Sequence, residues 1–161
     1  MSVLVIVERP GGALSPISVE AIVAGRSAAD GLGAPLIAVA IGAGELSTLA
    51  AKPVDEVVQL DHELLTSYTA DGYTAALADA IAELQPTLVL FPHTYQVRDY
   101  GPKLAARLGR AFISDAVALR VTDGRLTFVR QMFQGKFQAD VEATADGVCF
   151  ASIQSGAFRA D

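Results

Sequence analysis

Cysteine is almost missing from this sequence: Cys149 stands alone among 161 residues. One thiol cannot close an internal disulfide, which excludes a stapled, secreted scaffold. Histidine is scarce too, and His62 and His93 sit in no H-x-x-H or C-x-x-C spacing that would gather a metal. Charged residues make up 19% of the chain, below the ordinary level of about 25%. No run of five like charges occurs, and 12 basic against 18 acidic residues leave a net charge of −6. That balance argues against nucleic acid as a partner. Met1-Ser2-Val3-Leu4-Val5-Ile6-Val7 has no basic stretch before it and is too short for a signal peptide or a span. The expectation is a cytoplasmic chain with no membrane insertion. Repeats and low-complexity segments are missing as well.

Apolar residues reach 52%, which excludes disorder. A chain of this length fits one domain, residues 1–161, able to bury a core without staples. The charge deficit is filled largely by Ala and Gly. It reflects either an apolar surface kept for a partner or an alanine-rich background.

Continuous apolar runs at Val3–Val7, Leu36–Ile41 and Thr87–Phe91 predict buried strands, and Val54–Leu60 reads as a further strand. Between them lie helical patterns. Ser15 caps and Pro16 opens a helix whose stripe is Ile17, Ala21, Ala24 and Ala28, ended by Gly31 and Gly33. Glu45–Ala51 predicts a short helix. Tyr73, Leu77, Ala80, Ile81 and Leu84 recur at helical spacing, and Asp99–Leu108 is a further helix capped by Asp99. This alternation predicts an α/β fold: a doubly wound, Rossmann-like parallel sheet of the adenine-nucleotide hydrolase type. Past Ile113 the pattern changes. Ala116–Val121, Arg125–Gln131, Phe137–Ala143 and Val148–Gln154 read as strands, separated by Asp123-Gly124, Gln134-Gly135 and Asp146-Gly147. Hairpin chemistry at these pairs predicts antiparallel strands in the C-terminal third.

Gly42-Ala43-Gly44 lies between a strand and a helix, where N–H groups could hold a phosphate, although Ser47 takes the place of a third glycine. A plain tight turn is the alternative. Glu8 ends the first strand, at the edge where ligands sit in open α/β sheets; a solvated strand end is its alternative. Glu8, Gly42 and Gly44 are the nucleotide candidates. The loop His93–Tyr100 lies at the same edge, with Arg98 suited to grip a carboxylate or phosphate. His93 has only Thr94 beside it as a nucleophile, and no triad is evident because Ser114-Asp115 has no nearby histidine in sequence. No catalytic constellation emerges, so the chain is not expected to be an enzyme. Met132, Phe133 and Phe137 surround a Gly135 turn, either as core or as a docking tip.

Four stretches together resemble the N-terminal domain of the electron transfer flavoprotein alpha subunit, the family that includes FixB proteins. They are Val3–Glu8 with Leu14-Ser15-Pro16 and Glu20; Thr94 with Arg98-Asp99-Tyr100-Gly101-Pro102 through Leu108; Ile113-Ser114-Asp115; and Arg130 with Gly135-Lys136 and the closing Gly156–Arg159. Val97 stands where the family commonly has Gly, and Gln154-Ser155 where Arg-Pro is common. The resemblance implies a beta-subunit partner. It also implies electron transfer from dehydrogenases such as acyl-CoA dehydrogenases toward the respiratory chain, and FAD held by the full heterodimer. It places the flavin in a C-terminal domain outside these residues, so no FAD is expected on this chain alone. Thr94, Arg98, Asp99, Arg130, Met132, Phe133, Gly135 and Phe137 are then interface or loop-ordering candidates. A stand-alone adenine-nucleotide-binding module of the same fold is the alternative.

Overall fold

A computed structural model describes residues 1–144 and 146–160. Eight strands form one sheet: β1 (Val3–Val7), β2 (Leu36–Ile41), β3 (Glu56–Leu60), β4 (Leu88–Pro92), β5 (Phe112–Thr122), β6 (Arg125–Met132), β7 (Phe137–Val141) and β8 (Cys149–Ile153). Their spatial order is β3-β2-β1-β4-β8-β5-β6-β7. From β3 to β5 every neighbouring pair is parallel, while β5-β6 and β6-β7 are antiparallel. The helices are α1 (Pro16–Leu32), α2 (Ser47–Ala50), α3 (Ala70–Leu84) and α4 (Tyr95–Arg107).

β1 is buried along its whole length because both faces are covered. Val3, Val5 and Val7 join a core with Ala21, Ala24 and Ala28 of α1. Leu4 and Ile6 turn the other way, into a core with Leu77 of α3 and Tyr100 and Leu104 of α4. This period-2 division is what a doubly wound sheet requires. Close approach depends on small residues. A Cβ on Gly25 of α1 would stand 2.9 Å from a Leu36 methyl, and one on Gly31 would stand 2.8 Å from Val121 Cβ.

Three expectations need correction. Gly31 does not end α1; the left-handed cap is Gly33 alone, at φ 61°. Asp99 does not cap α4. Thr94 does, its Oγ1 accepting from the Val97 N–H at 3.1 Å, so the helix begins a turn earlier. Pro102 then lies inside the helix rather than in its first turn. Finally, Val148–Gln154 is no antiparallel strand. β8 inserts between β4 and β5, parallel to both, so Asp146-Gly147 lies in a return connection and not in a hairpin. A buried apolar strand carries no mark of its direction, and Asp-Gly serves any tight bend. No helix of the described residues is long and apolar enough to cross a membrane.

Candidate functional site

The strand order turns around at β1, with β2 on one side and β4 on the other. Chains leaving the carboxyl ends of β1 and β4 diverge there and open a crevice. Its volume is about 370 Å³, and its lining includes Glu8, Arg9, Tyr73, Thr94, Gln96 and Tyr100. Across its floor the Thr94 hydroxyl donates to Glu8 Oε1 at 2.6 Å, joining residues 86 apart in sequence. The Glu8 backbone is tied down as well, its N–H donating to the buried Ser18 Oγ at 2.8 Å. Burial raises the Glu8 carboxyl above its ordinary value, against the pull of the Thr94 hydrogen bond.

Tyr73 and Tyr100 wall this crevice, and Tyr68 packs against both. Tyr68, Tyr73 and Tyr100 meet with centroids 4.9 to 6.3 Å apart. Tyr68 donates to Asp99 Oδ2 at 2.5 Å, which is where the Asp99 carboxylate goes in place of capping. Tyr68 is held protonated far above the usual phenol range, first by burial and then by Asp99.

Gly42 and Gly44 lie beside this crevice, but their loop turns its carbonyls inward. Arg9 donates to the Gly42 and Glu45 carbonyls at 3.0 and 3.1 Å, and Gln59 donates to those of Gly42 and Gly44. The Gly42 N–H is used by the Leu60 carbonyl and the Ser47 N–H by Glu45 Oε1. The following α2 has four residues.

A second polar cluster sits farther along the same edge, above β4, β8 and β5. His93 Nδ1 lies 2.8 Å from Ser152 Oγ, and Nε2 lies 3.9 Å from Asp115 Oδ1. Ser152 Oγ also accepts from the Asp115 N–H at 3.0 Å. Asp115 has a left-handed φ of 60° where the β5-β8 register shifts between Ile113 and Ala116, and this bulge swings it toward β4. No histidine is near Ser114-Asp115 along the chain; the fold brings His93 to Asp115 from 22 positions away. Ser152 is fully buried, so the trio orders the strand ends and offers no exposed nucleophile. Desolvation lowers the His93 pKa, Asp115 opposes this, and the charges of Arg98 and Arg130 reinforce it. Nothing in the sequence singled out Ser152, Tyr68 or Ser18. Ser152 and Tyr68 act through long-range pairings, with His93 and Asp99, that only the fold creates, whereas Ser18 ties to Glu8 across the turn from β1 to α1.

Arg98 lies with its guanidinium carbon 5.6 Å from the centroid of the Tyr95 ring. Arg130 is on β6, opposite Ala116 and Ala139. Met132 ends β6, and the β6-β7 turn exposes Phe133 and Phe137 by 73% and 65%. Their rings pack edge to face, 5.8 Å apart, outside the core. Phe133, Gln134 and Gly135 all have left-handed φ, an unusual run that fixes this tip. No group of three potential metal ligands occurs among the described residues.

Residues 3–161 match the electron transfer flavoprotein domain family. The chain is 37% identical over 162 residues to "Electron transfer flavoprotein subunit alpha" of Bacillus subtilis (strain 168), covering 98% of this chain and 49% of that protein. It is 32% identical to "Protein FixB" of Clostridium saccharobutylicum, over 98% of this chain and 48% of that one. It is also 34% identical over 120 residues to "Acryloyl-CoA reductase electron transfer subunit beta" of Anaerotignum propionicum, over 71% and 32%. The chain thus spans about half the length of the first two relatives. With the doubly wound fold, these matches establish that the chain belongs to the electron transfer flavoprotein family, on its alpha-subunit (FixB) side.

Proposed function

We propose that residues 1–161 act as the N-terminal, subunit-docking domain of an electron transfer flavoprotein alpha subunit. Paired with a beta subunit, the whole protein passes electrons from flavin dehydrogenases, such as acyl-CoA dehydrogenases, to the respiratory chain. The domain works in the cytoplasm, and its part is to dock rather than catalyse. The observation that carries this reading is the β6-β7 tip, where two phenylalanines stand in solvent on a conformationally fixed turn. Rigid, exposed aromatics are the usual anchors of an interface.

FAD belongs to the full heterodimer in this reading. Residues 1–161 do not fit the group: the Gly42–Gly44 loop presents carbonyls inward, its N–H groups at Gly42 and Ser47 are already used, and Glu8 puts a carboxylate in the adjoining crevice. The chain supplies no flavin chemistry of its own.

The test is a titration of the chain with its cognate beta subunit. Saturable binding is expected, and Phe133→Ser with Phe137→Ser should weaken it by at least about 2 kcal/mol, as loss of anchors does. A monodisperse monomer that ignores the beta subunit would defeat the reading. The crevice at the β1-β4 reversal favours a second one, an adenine-nucleotide-binding module. A thermal shift with AMP, ATP or FAD would support that alternative, and no shift is expected.

A further inference from the structure

Glu8 is a half-buried carboxylate with no cation of the chain to answer it. Among the described residues it forms no ion pair, and only its Oε1 is engaged, by the Thr94 hydroxyl. Arg9 lines the same crevice, but its guanidinium is turned to the carbonyls of Gly42, Ala43 and Glu45. The other groups that face Glu8 are neutral: Tyr73 of α3, Tyr100 of α4 and the Thr94 cap, with Tyr68 packed against the two rings. Asp99 is held by Tyr68. Neither the Tyr73 nor the Tyr100 hydroxyl makes a hydrogen bond among the described residues, although Tyr100 is only 1% exposed. A buried phenol ordinarily finds a partner. Both phenols line the crevice and both feel the Glu8 charge, so the acceptors left over gather in one place.

We propose that Glu8, Tyr73 and Tyr100 form a site for the primary ammonium group of a small organic amine. The count of donors and acceptors selects this group. A primary ammonium brings one positive charge, three N–H donors and no acceptor. Glu8 supplies the opposite charge and its unused Oε2, and the two phenol oxygens supply the remaining acceptors. An aromatic lining favours a cation over an anion. A carboxylate or phosphate meets the reverse, with Glu8 repelling it. The crevice, at about 370 Å³, has the size of a small-molecule pocket. This inference stands apart from beta-subunit docking, because its test uses the chain alone.

The chain has four tyrosines and no tryptophan. Tyr73, Tyr95 and Tyr100 line the crevice and Tyr68 packs against two of them, so tyrosine fluorescence reports on this place alone. The probes are n-butylammonium chloride, n-butanol and sodium butyrate, titrated into the chain at matched ionic strength. Butylammonium is expected to change the fluorescence saturably, with butanol and butyrate each at least about tenfold weaker, the margin of a charge-assisted hydrogen bond. Its affinity should fall as pH drops through the raised Glu8 value, because a protonated carboxyl no longer attracts a cation. Glu8→Gln should remove both the preference over butanol and the pH dependence. Tyr73→Leu should weaken butylammonium by at least about threefold, the loss of one cation–π contact. The comparison of probes on the parent chain stays decisive even where a variant unfolds. Absence of saturation, butanol or butyrate matching butylammonium, or an affinity unchanged in either folded variant would overturn the proposal.

Discussion

At the scale of single residues, the edge of the sheet holds two titratable groups whose pKa values move in opposite directions. Glu8 is raised by burial, so the folded state holds its proton more tightly than the unfolded chain does. Its contribution is favourable in acid and is lost as pH rises through the folded value. Glu8→Gln should therefore be more stable than the parent at pH 7, and the advantage should vanish below the ordinary carboxylate range. Urea melts at the two pH values would measure this. His93 behaves in reverse. Its lowered pKa makes the unfolded state the better proton binder, so stability falls as pH drops from about 6.5 toward the folded value. His93→Gln should flatten that part of the profile. Thr94 caps α4 and donates to Glu8 with one hydroxyl. Thr94→Val is expected to cost about 1–2 kcal/mol in the same melts, the usual loss for a cap. Cys149 is a reporter: buried on β8, with its thiol pushed up to about 11, it should resist iodoacetamide at pH 8 until β8 detaches.

At the scale of elements, small residues decide how near helices come to strands. Gly25→Ala places a methyl between Val5 and Leu36, side chains of β1 and β2 that are fully buried. A loss of about 1–3 kcal/mol is expected, as for overpacking generally, and a thermal melt checks it. The same elements show what a sequence can reveal. β1, β2 and β4 were legible because strands covered on both faces read as unbroken apolar runs, and α1 because Ser15, Pro16 and Gly33 punctuate it. The start of α4 was not. Thr94 and Asp99 are both good caps, and only the fold shows that Tyr68 claims Asp99. The direction of β8 was hidden as well, since Cys149–Ile153 is buried throughout and would look the same in either orientation. For the site, Glu8, Thr94, Arg98 and Arg130 were visible as residue types at strand and helix ends. The Glu8–Thr94 pair depends on β1 lying beside β4, and the approach of His93 to Asp115 on β8 lying between β4 and β5, neither of which a local pattern encodes.

At the scale of the whole molecule, chemistry and contact are set apart. The polar clusters occupy the carboxyl ends of β1, β4 and β8 and the bulge near the start of β5, while the apolar tip lies at the β6-β7 turn. Removing the tip aromatics should leave the melting temperature nearly unchanged while weakening partner binding, because Phe133 and Phe137 lie outside the core. The placement of β8 has a different kind of consequence. The strand that joins the two parts of the sheet follows the seven others in sequence. Until Ile153 is free of the exit tunnel, β4 and β5 have no shared neighbour, and each shows the cell a row of unpaired backbone groups. The nascent chain therefore waits in two unjoined pieces and closes in one late step, with the slow, long-range pairing that such a topology imposes. A chaperone that shields strand edges would find its substrate during that interval, and a chain ending at Asp146, before β8, should remain open to protease while residues 1–161 are resistant.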